Sequence, residues 1–184
     1  SRSPHRLSAG DYARRVQECE MAFEHIRGYS RVEHDHGIHT LADVSMAQLK
    51  RSTVNMEQPL DRRAHHVISE IARVTDAANA LSTADFETFG QRMNESHHSL
   101  ALDYEVSTPR MDELAAIVRG VPGVFGARMT GGGFGGGGVA LAPAPAIPRV
   151  ESAVRSTYDQ KYGVTAHIRA TRPCEGASIT PIGN

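Results

Sequence analysis

The residues with the plainest chemical content are glycines. Positions 131–138 hold seven glycines out of eight, inside the string G-A-R-M-T-G-G-G-F-G-G-G-G-V that runs from Gly126 to Val139. Glycine takes positive φ, which costs another L-residue about 1–2 kcal/mol, and it lacks the Cβ that keeps two backbones apart. A loop of this kind can aim several N–H groups at one anion, so phosphate is the first ligand it suggests. A flexible spacer shares the composition, but residues 121–129 before the run and 139–141 after it are apolar and strand-like. A Walker A loop would need a lysine directly after the glycines, and here none comes until Lys161. Gly131, Gly133 and Gly136 satisfy G-x-G-x-x-G, yet that fingerprint must open a helix. Here the glycines lead into Val139-Ala140-Leu141-Ala142 and prolines at 143, 145 and 148, so the loop joins strand to strand.

Three other groups carry potential chemistry. Residues 31–39 contain Arg31, Glu33, His34, Asp35, His36 and His39, and H-D-H-x-x-H is a conceivable metal set. The stretch has no periodicity to fix it, so it reads as a polar loop and no metal is expected. Asn94, Glu95 and His97 in M-N-E-S-H resemble an acid/base cluster, with hydrogen bonding to neighbouring loops as the favoured reading. Cys19 and Cys174 are the only cysteines, too few for a disulfide framework.

The elements that must position these groups can be read from periodicity. Tyr12, Val16, Cys19, Phe23 and Ile26 fall at helical steps, predicting one amphipathic helix over 11–28 that buries that face. A short helix is expected over 41–49. A longer one over 62–81 should turn Val67, Ile68, Ile71, Val74, Ala78 and Leu81 inward. Thr83 resembles the N-cap of a third, carrying Phe86, Phe89, Met93 and Leu100. Thr108-Pro109 should start a fourth that stops at Gly120. After the glycine loop, a helix over 148–161 should end at Gly163, and 164–170 alternates like a last strand. Helices first, then helix, strand, strand, helix and strand, make an α+β arrangement with a small antiparallel sheet.

At 184 residues and net charge −1, the chain is of single-domain size. It has no basic run that would suit nucleic acid and no apolar stretch as long as a membrane span, so the cytoplasm is the expected setting.

The string G-A-R-M-T-G-G-G-F-G-G resembles the C-terminal signature of galactokinases, members of the GHMP superfamily of small-molecule kinases. Galactokinases usually continue with cysteine and a second residue where this chain has Gly137 and Gly138. Further matches keep the family's order: Tyr12, Arg15, Cys19 and Glu20 in the first helix, L-x-D-V-S at 41–45, M-N-E-S-H at 93–97, D-Y-E-V-S at 103–107 and R-P-x-x-G-A at 172–177. Val16 stands where the second arginine of the first segment is usual. The resemblance spans about Leu7 to Ala177.

It implies a GHMP-kinase C-terminal domain over 8–184, a ferredoxin-like antiparallel sheet with an added helical bundle, and residues 1–7 as the end of an inter-domain link. Within the complete enzyme it implies ATP-dependent phosphorylation of galactose to galactose 1-phosphate. Tyr12 would contact the sugar, and Gly131, Gly132, Gly133, Gly135 and Gly136 would form the nucleotide-phosphate loop. ATP and Mg2+ are the implied cofactors. The family's galactose motif, G-x-G-L-S-S-type loop and catalytic aspartate and arginine belong to its N-terminal domain, and none of those strings occurs here. The chain alone is therefore expected to have no catalytic residue and no activity, with that N-terminal domain as its partner. A non-catalytic sugar and ATP sensor is the alternative, as is an N-acetylgalactosamine kinase, to which R-V-x-E-C at 15–19 is similar.

Overall fold

A helix starts wherever a side chain replaces the missing hydrogen-bond partner of its first N–H groups. Thr40 and Ser45 form capping boxes with Asp43 and Gln48. The expected single helix over 41–49 is therefore split into a 3-10 turn, Leu41–Asp43, and helix α2, Met46–Ser52. This computed structural model describes residues 9–32, 37–173 and 176. Helix α1 spans Ala9–Val32, running past Gly28, where its end was expected. Helices α3 (Leu60–Ser82), α4 (Phe86–Leu102) and α5 (Pro109–Arg119) come next. Thr83 closes α3, and Asp85 caps α4 by accepting from the Thr88 N–H at 3.0 Å. Thr108 accepts from the Met111 N–H at 3.2 Å and Gly120 closes α5, as the sequence predicts.

Helices α1, α2 and α3 share a core of Ala22, Ile26, Leu49, Leu60, Ala64 and Ile68. Ile26 is fully buried, which stabilises the fold by roughly 2–3 kcal/mol relative to exposure. Two of the predicted helix faces are rotated from where they sit. On α1 the buried line is Arg15, Glu18, Ala22, Ile26 and Ser30, while Tyr12 and Val16 are exposed. On α3 it is Leu60, Arg63, Ala64, His66, Ile68 and Ala80, and Ile71, Val74, Ala78 and Leu81 face outward. The cause is ionic. Arg15, Glu18 and Arg63 satisfy one another inside, so the faces carrying them can be buried.

Strands β1 (Gly126–Thr130) and β2 (Gly137–Leu141) pair antiparallel, with Gly126 opposite Leu141 and Thr130 opposite Gly137. Helix α6 (Ile147–Ala153) continues through a π-helical turn, Val154–Asp159, into the short α7 (Gln160–Tyr162), which Gly163 ends at φ +61°. Val118, Ala127, Val154, Tyr158 and Ala166 form the second core between α5, β1 and this helical stretch. The expected strand over 164–170 does not form. Val164, Ala166 and Ile168 do alternate inward, but the Ala166 N–H donates to Asp159 Oδ1 at 2.9 Å and its carbonyl accepts from Arg155 at 2.6 Å. Side chains of the preceding helix have taken the groups a sheet ladder would use. No helix among the described residues is long and apolar enough to cross a membrane.

Candidate functional site

Helix α4 does the work of a third strand beside β1. Gly90 and Gly126 meet backbone to backbone, so a Cβ on either would overlap the other residue's neighbourhood. One and two turns further along α4, Asn94 Oδ1 accepts the Ala127 N–H at 2.9 Å and His97 Nδ1 accepts the Met129 N–H at 3.1 Å. Those are the β1 amides that point away from β2. The M-N-E-S-H residues are thus structural, in agreement with the favoured reading, and Glu95 instead pairs with Arg92 at 2.5 Å. His97 must hold Nδ1 unprotonated to accept. Burial first, and the Arg119 charge after it, keep its pKa below the usual imidazole range.

Strand β1 delivers the chain into the loop 131–136, where Gly131, Gly133, Phe134, Gly135 and Gly136 all have positive φ. Gly133 and Gly135 are buried, and Gly131 and Gly132 are exposed. A Cβ on Gly133 would lie 2.5 Å from the Val106 carbonyl oxygen, whereas at Gly131 and Gly132 nothing lies within 4 Å. The Phe134 N–H donates to that same Val106 carbonyl at 2.7 Å, and Phe134 packs with Val106, Met111 and Met129. The loop is a built turn, pinned at its centre and bare of side chains at 131 and 132.

Val106 lies in D-Y-E-V-S, and the buried Arg15 and Arg63, with the half-exposed Arg62, hold this segment. The carbonyls of Leu102, Asp103, Tyr104 and Glu105 accept, in turn, from Arg62, Arg63, Arg15 and Arg15 at 3.0, 2.5, 2.6 and 3.0 Å. These are orphan acceptors at and beyond the end of α4, where cations are favoured. Glu18 takes Arg63 Nε at 2.7 Å and Arg15 at 3.0 Å, and Glu105 takes Arg63 and Arg62 at 2.6 Å each. Burial alone would raise the Glu18 carboxyl, but the hydrogen bonds from Arg63 and Arg14 and the charges of Arg63 and Arg15 prevail and lower it. Glu105 is lowered by Arg63 first, against burial. Glu105 also sits at φ +53°, a conformation that costs a non-glycine residue about 1–3 kcal/mol and persists only where its surroundings hold it.

Tyr12 is 56% exposed near the start of α1, so the packing role gives way to a surface one. The hydroxyl of Tyr104, which faces Cys19, is pushed up to about 12, by burial first and then by Cys19. Tyr104 also packs against the cluster of Val106, Met111 and Met129. Helix α1, through Cys19 and Arg15, and the glycine loop, through Phe134, thus meet on one segment, residues 104–106. Glu105 and Val106 stand in the sequence reading only as part of the string D-Y-E-V-S, with no role, and Arg63 is absent from it. The readable signal for their partners was the oppositely charged pair Arg15 and Glu18 in step with Ala22 and Ile26. His34, Asp35, His36, Cys174, Glu175 and Ala177 lie outside the described residues, and among the described ones no three His, Cys, Asp or Glu are grouped to hold a metal.

The family described as GHMP kinases C terminal matches residues 77–160, from the end of α3 through the loop into the last helices. The galactokinase of Bos taurus is 38% identical over 175 residues, covering 95% of this chain and 41% of that protein. The human galactokinase is 37% identical over the same length, and that of Roseiflexus sp. is 38% identical over 170 residues, 92% of this chain and 42% of the relative. The chain thus spans about two fifths of the length of these relatives. A structure of Lactococcus lactis galactokinase complexed with galactose superposes with a TM-score of 0.78 at 31% identity, covering 88% of this chain and 40% of that one. With its two-stranded sheet, its helices and its glycine loop, the chain matches the C-terminal domain of GHMP kinases over residues 77–160 and is similar to galactokinases over nearly its whole length.

Proposed function

We propose that this chain serves, within a complete galactokinase, the ATP-dependent phosphorylation of galactose to galactose 1-phosphate in the cytoplasm. Residues 8–184 are its C-terminal domain and 1–7 the end of a link from an N-terminal domain that brings the catalytic groups. The observation that carries the reading is the loop: a pinned turn with positive φ and bare backbone at Gly131 and Gly132. Phosphoryl transfer depends on positioning and charge stabilisation, and backbone N–H donors supply both to a phosphate without a side chain in the way. The loop fits a phosphate of ATP. No three His, Cys, Asp or Glu are grouped for Mg2+ among the described residues, and its ligands are assigned to the N-terminal domain of the complete enzyme.

Tyr12 is assigned to the sugar, its exposed ring suited to cover an apolar face of galactose. Galactose is favoured over N-acetylgalactosamine because, of the string R-V-x-E-C, Arg15 and Glu18 are buried in the ionic network and Cys19 faces Tyr104. That string speaks of helix packing. The test is a coupled ADP-release assay with galactose, ATP and Mg2+. The 184-residue chain alone should match an enzyme-free blank. In the complete enzyme Tyr12→Ala should raise the galactose KM about tenfold or more while leaving the ATP KM within about twofold. Turnover by the chain alone, or an unchanged galactose KM with a lowered Tm, would overturn these assignments.

A further inference from the structure

An ionic cluster joins α1 and α3 to the segment that follows α4. Arg63 is 1% exposed, yet its three nitrogens are spent on Glu18, on the Asp103 carbonyl and on Glu105. Arg15 spends its own on Glu18 and on the carbonyls of Tyr104 and Glu105. Consecutive carbonyls and one carboxylate are gripped at the point where the chain turns through Glu105 at positive φ. The next residue, Val106, offers its carbonyl to Phe134 and its side chain to Gly133. Two strained non-glycine residues, Glu105 and Phe134, therefore face each other across a single hydrogen-bonded carbonyl, and only one of them is held by charge.

We propose that Arg63 and Glu105 are positioning residues of the glycine loop: by clamping residues 103–105 they place the Val106 carbonyl, which fixes Phe134 and holds the loop in its binding shape before nucleotide arrives. This rests on the reading of the loop as a phosphate site. A loop shaped in advance binds more tightly because its ordering is not charged to the binding step. The clamp lies one residue from the loop's anchor, Val106, and is not among the neighbours of Gly131 and Gly132 within 4 Å. It acts through Val106.

The experiment uses the complete enzyme and the variants Glu105→Ala and Glu105→Gln, with amide hydrogen exchange at Phe134 read beside steady-state kinetics. Glu105→Ala should speed Phe134 exchange about tenfold and raise the ATP KM about tenfold, with the galactose KM within about twofold. Glu105→Gln keeps an oxygen for Arg63 and should hold the ATP KM within about threefold of the parent. Unchanged exchange at Phe134, whether the ATP KM moves or not, overturns the proposal, as does a lowered Tm with both readouts unmoved. Faster exchange with an unchanged ATP KM leaves the clamp standing and overturns the phosphate reading instead. Should Glu105→Ala not fold, Arg62→Ala removes one of the two guanidiniums on the same carboxylate and must shift both readouts the same way by a smaller factor.

Discussion

The seam between α4 and β1 and the bare corner of the loop at Gly131 and Gly132 are both made of glycine, and they use it for opposite ends. At the seam, Gly90 and Gly126 give up their side chains so that two backbones can touch, and Asn94 and His97 complete the contact. At the corner, Gly131 and Gly132 meet nothing within 4 Å. One absence of Cβ is filled by the protein, and the other is left for what comes from outside. The same residue type thus separates architecture from binding once its neighbourhood is known.

The widest break in that contrast comes from Gly126→Ala. Its methyl would overlap the Gly90 backbone, so the strand must leave the helix or the helix must shift, at a cost of about 3 kcal/mol or more. Urea denaturation should show the midpoint falling with little change of slope. A variant as stable as the parent would mean that the seam is looser than its geometry.

Acid should next loosen the seam at His97 and the α3–α4 contact at His66. His97 is held below the ordinary imidazole range by burial and Arg119 and must be neutral to accept from Met129, and His66, buried beside Tyr104, is lowered to about 4. Both bind fewer protons folded than unfolded, so their contribution is present above about pH 6.5 and declines as pH falls toward the folded values. For His66 the loss by pH 5 is at most about 2 kcal/mol. His97→Gln offers Met129 an acceptor that does not titrate, so urea midpoints should fall less between about pH 7.5 and pH 5 than in the parent. An equal fall in both would remove His97 from the account.

Gly132→Ala is the smallest perturbation of the fold and sharpens the contrast most. The position has open space and its φ is not positive, so stability should change by less than about 0.5 kcal/mol. In the complete enzyme the same methyl should lower turnover about tenfold, roughly 1.4 kcal/mol at the transition state. Full turnover together with full ATP affinity would return this corner to the status of a surface turn.

Much of this was legible in the order of residues. Thr108-Pro109, Gly120 and Gly163 bound their helices as capping chemistry dictates, and the apolar flanks of the glycine run made it a turn between strands. Charge was what hid the rest. Arg15, Glu18 and Arg63 are buried as a mutually satisfied set, and reading charges as solvent-facing rotated the predicted faces of α1 and α3. Residues 164–170 have the alternation of a strand, but Asp159 and Arg155 claim the Ala166 backbone, a pairing that no local pattern announces. Tyr12 stands out as a candidate through its family string and not through its helical spacing, which pointed it inward.

The meeting of Gly90 and Gly126 also bears on how this domain can drift over generations. When a large residue crowds its neighbour, a second substitution to something smaller often restores the fit. Here each partner is already the smallest residue there is. Neither position leaves a compensating exchange open to the other, so the two are fixed as a couple while the caps and surfaces around them remain free to vary.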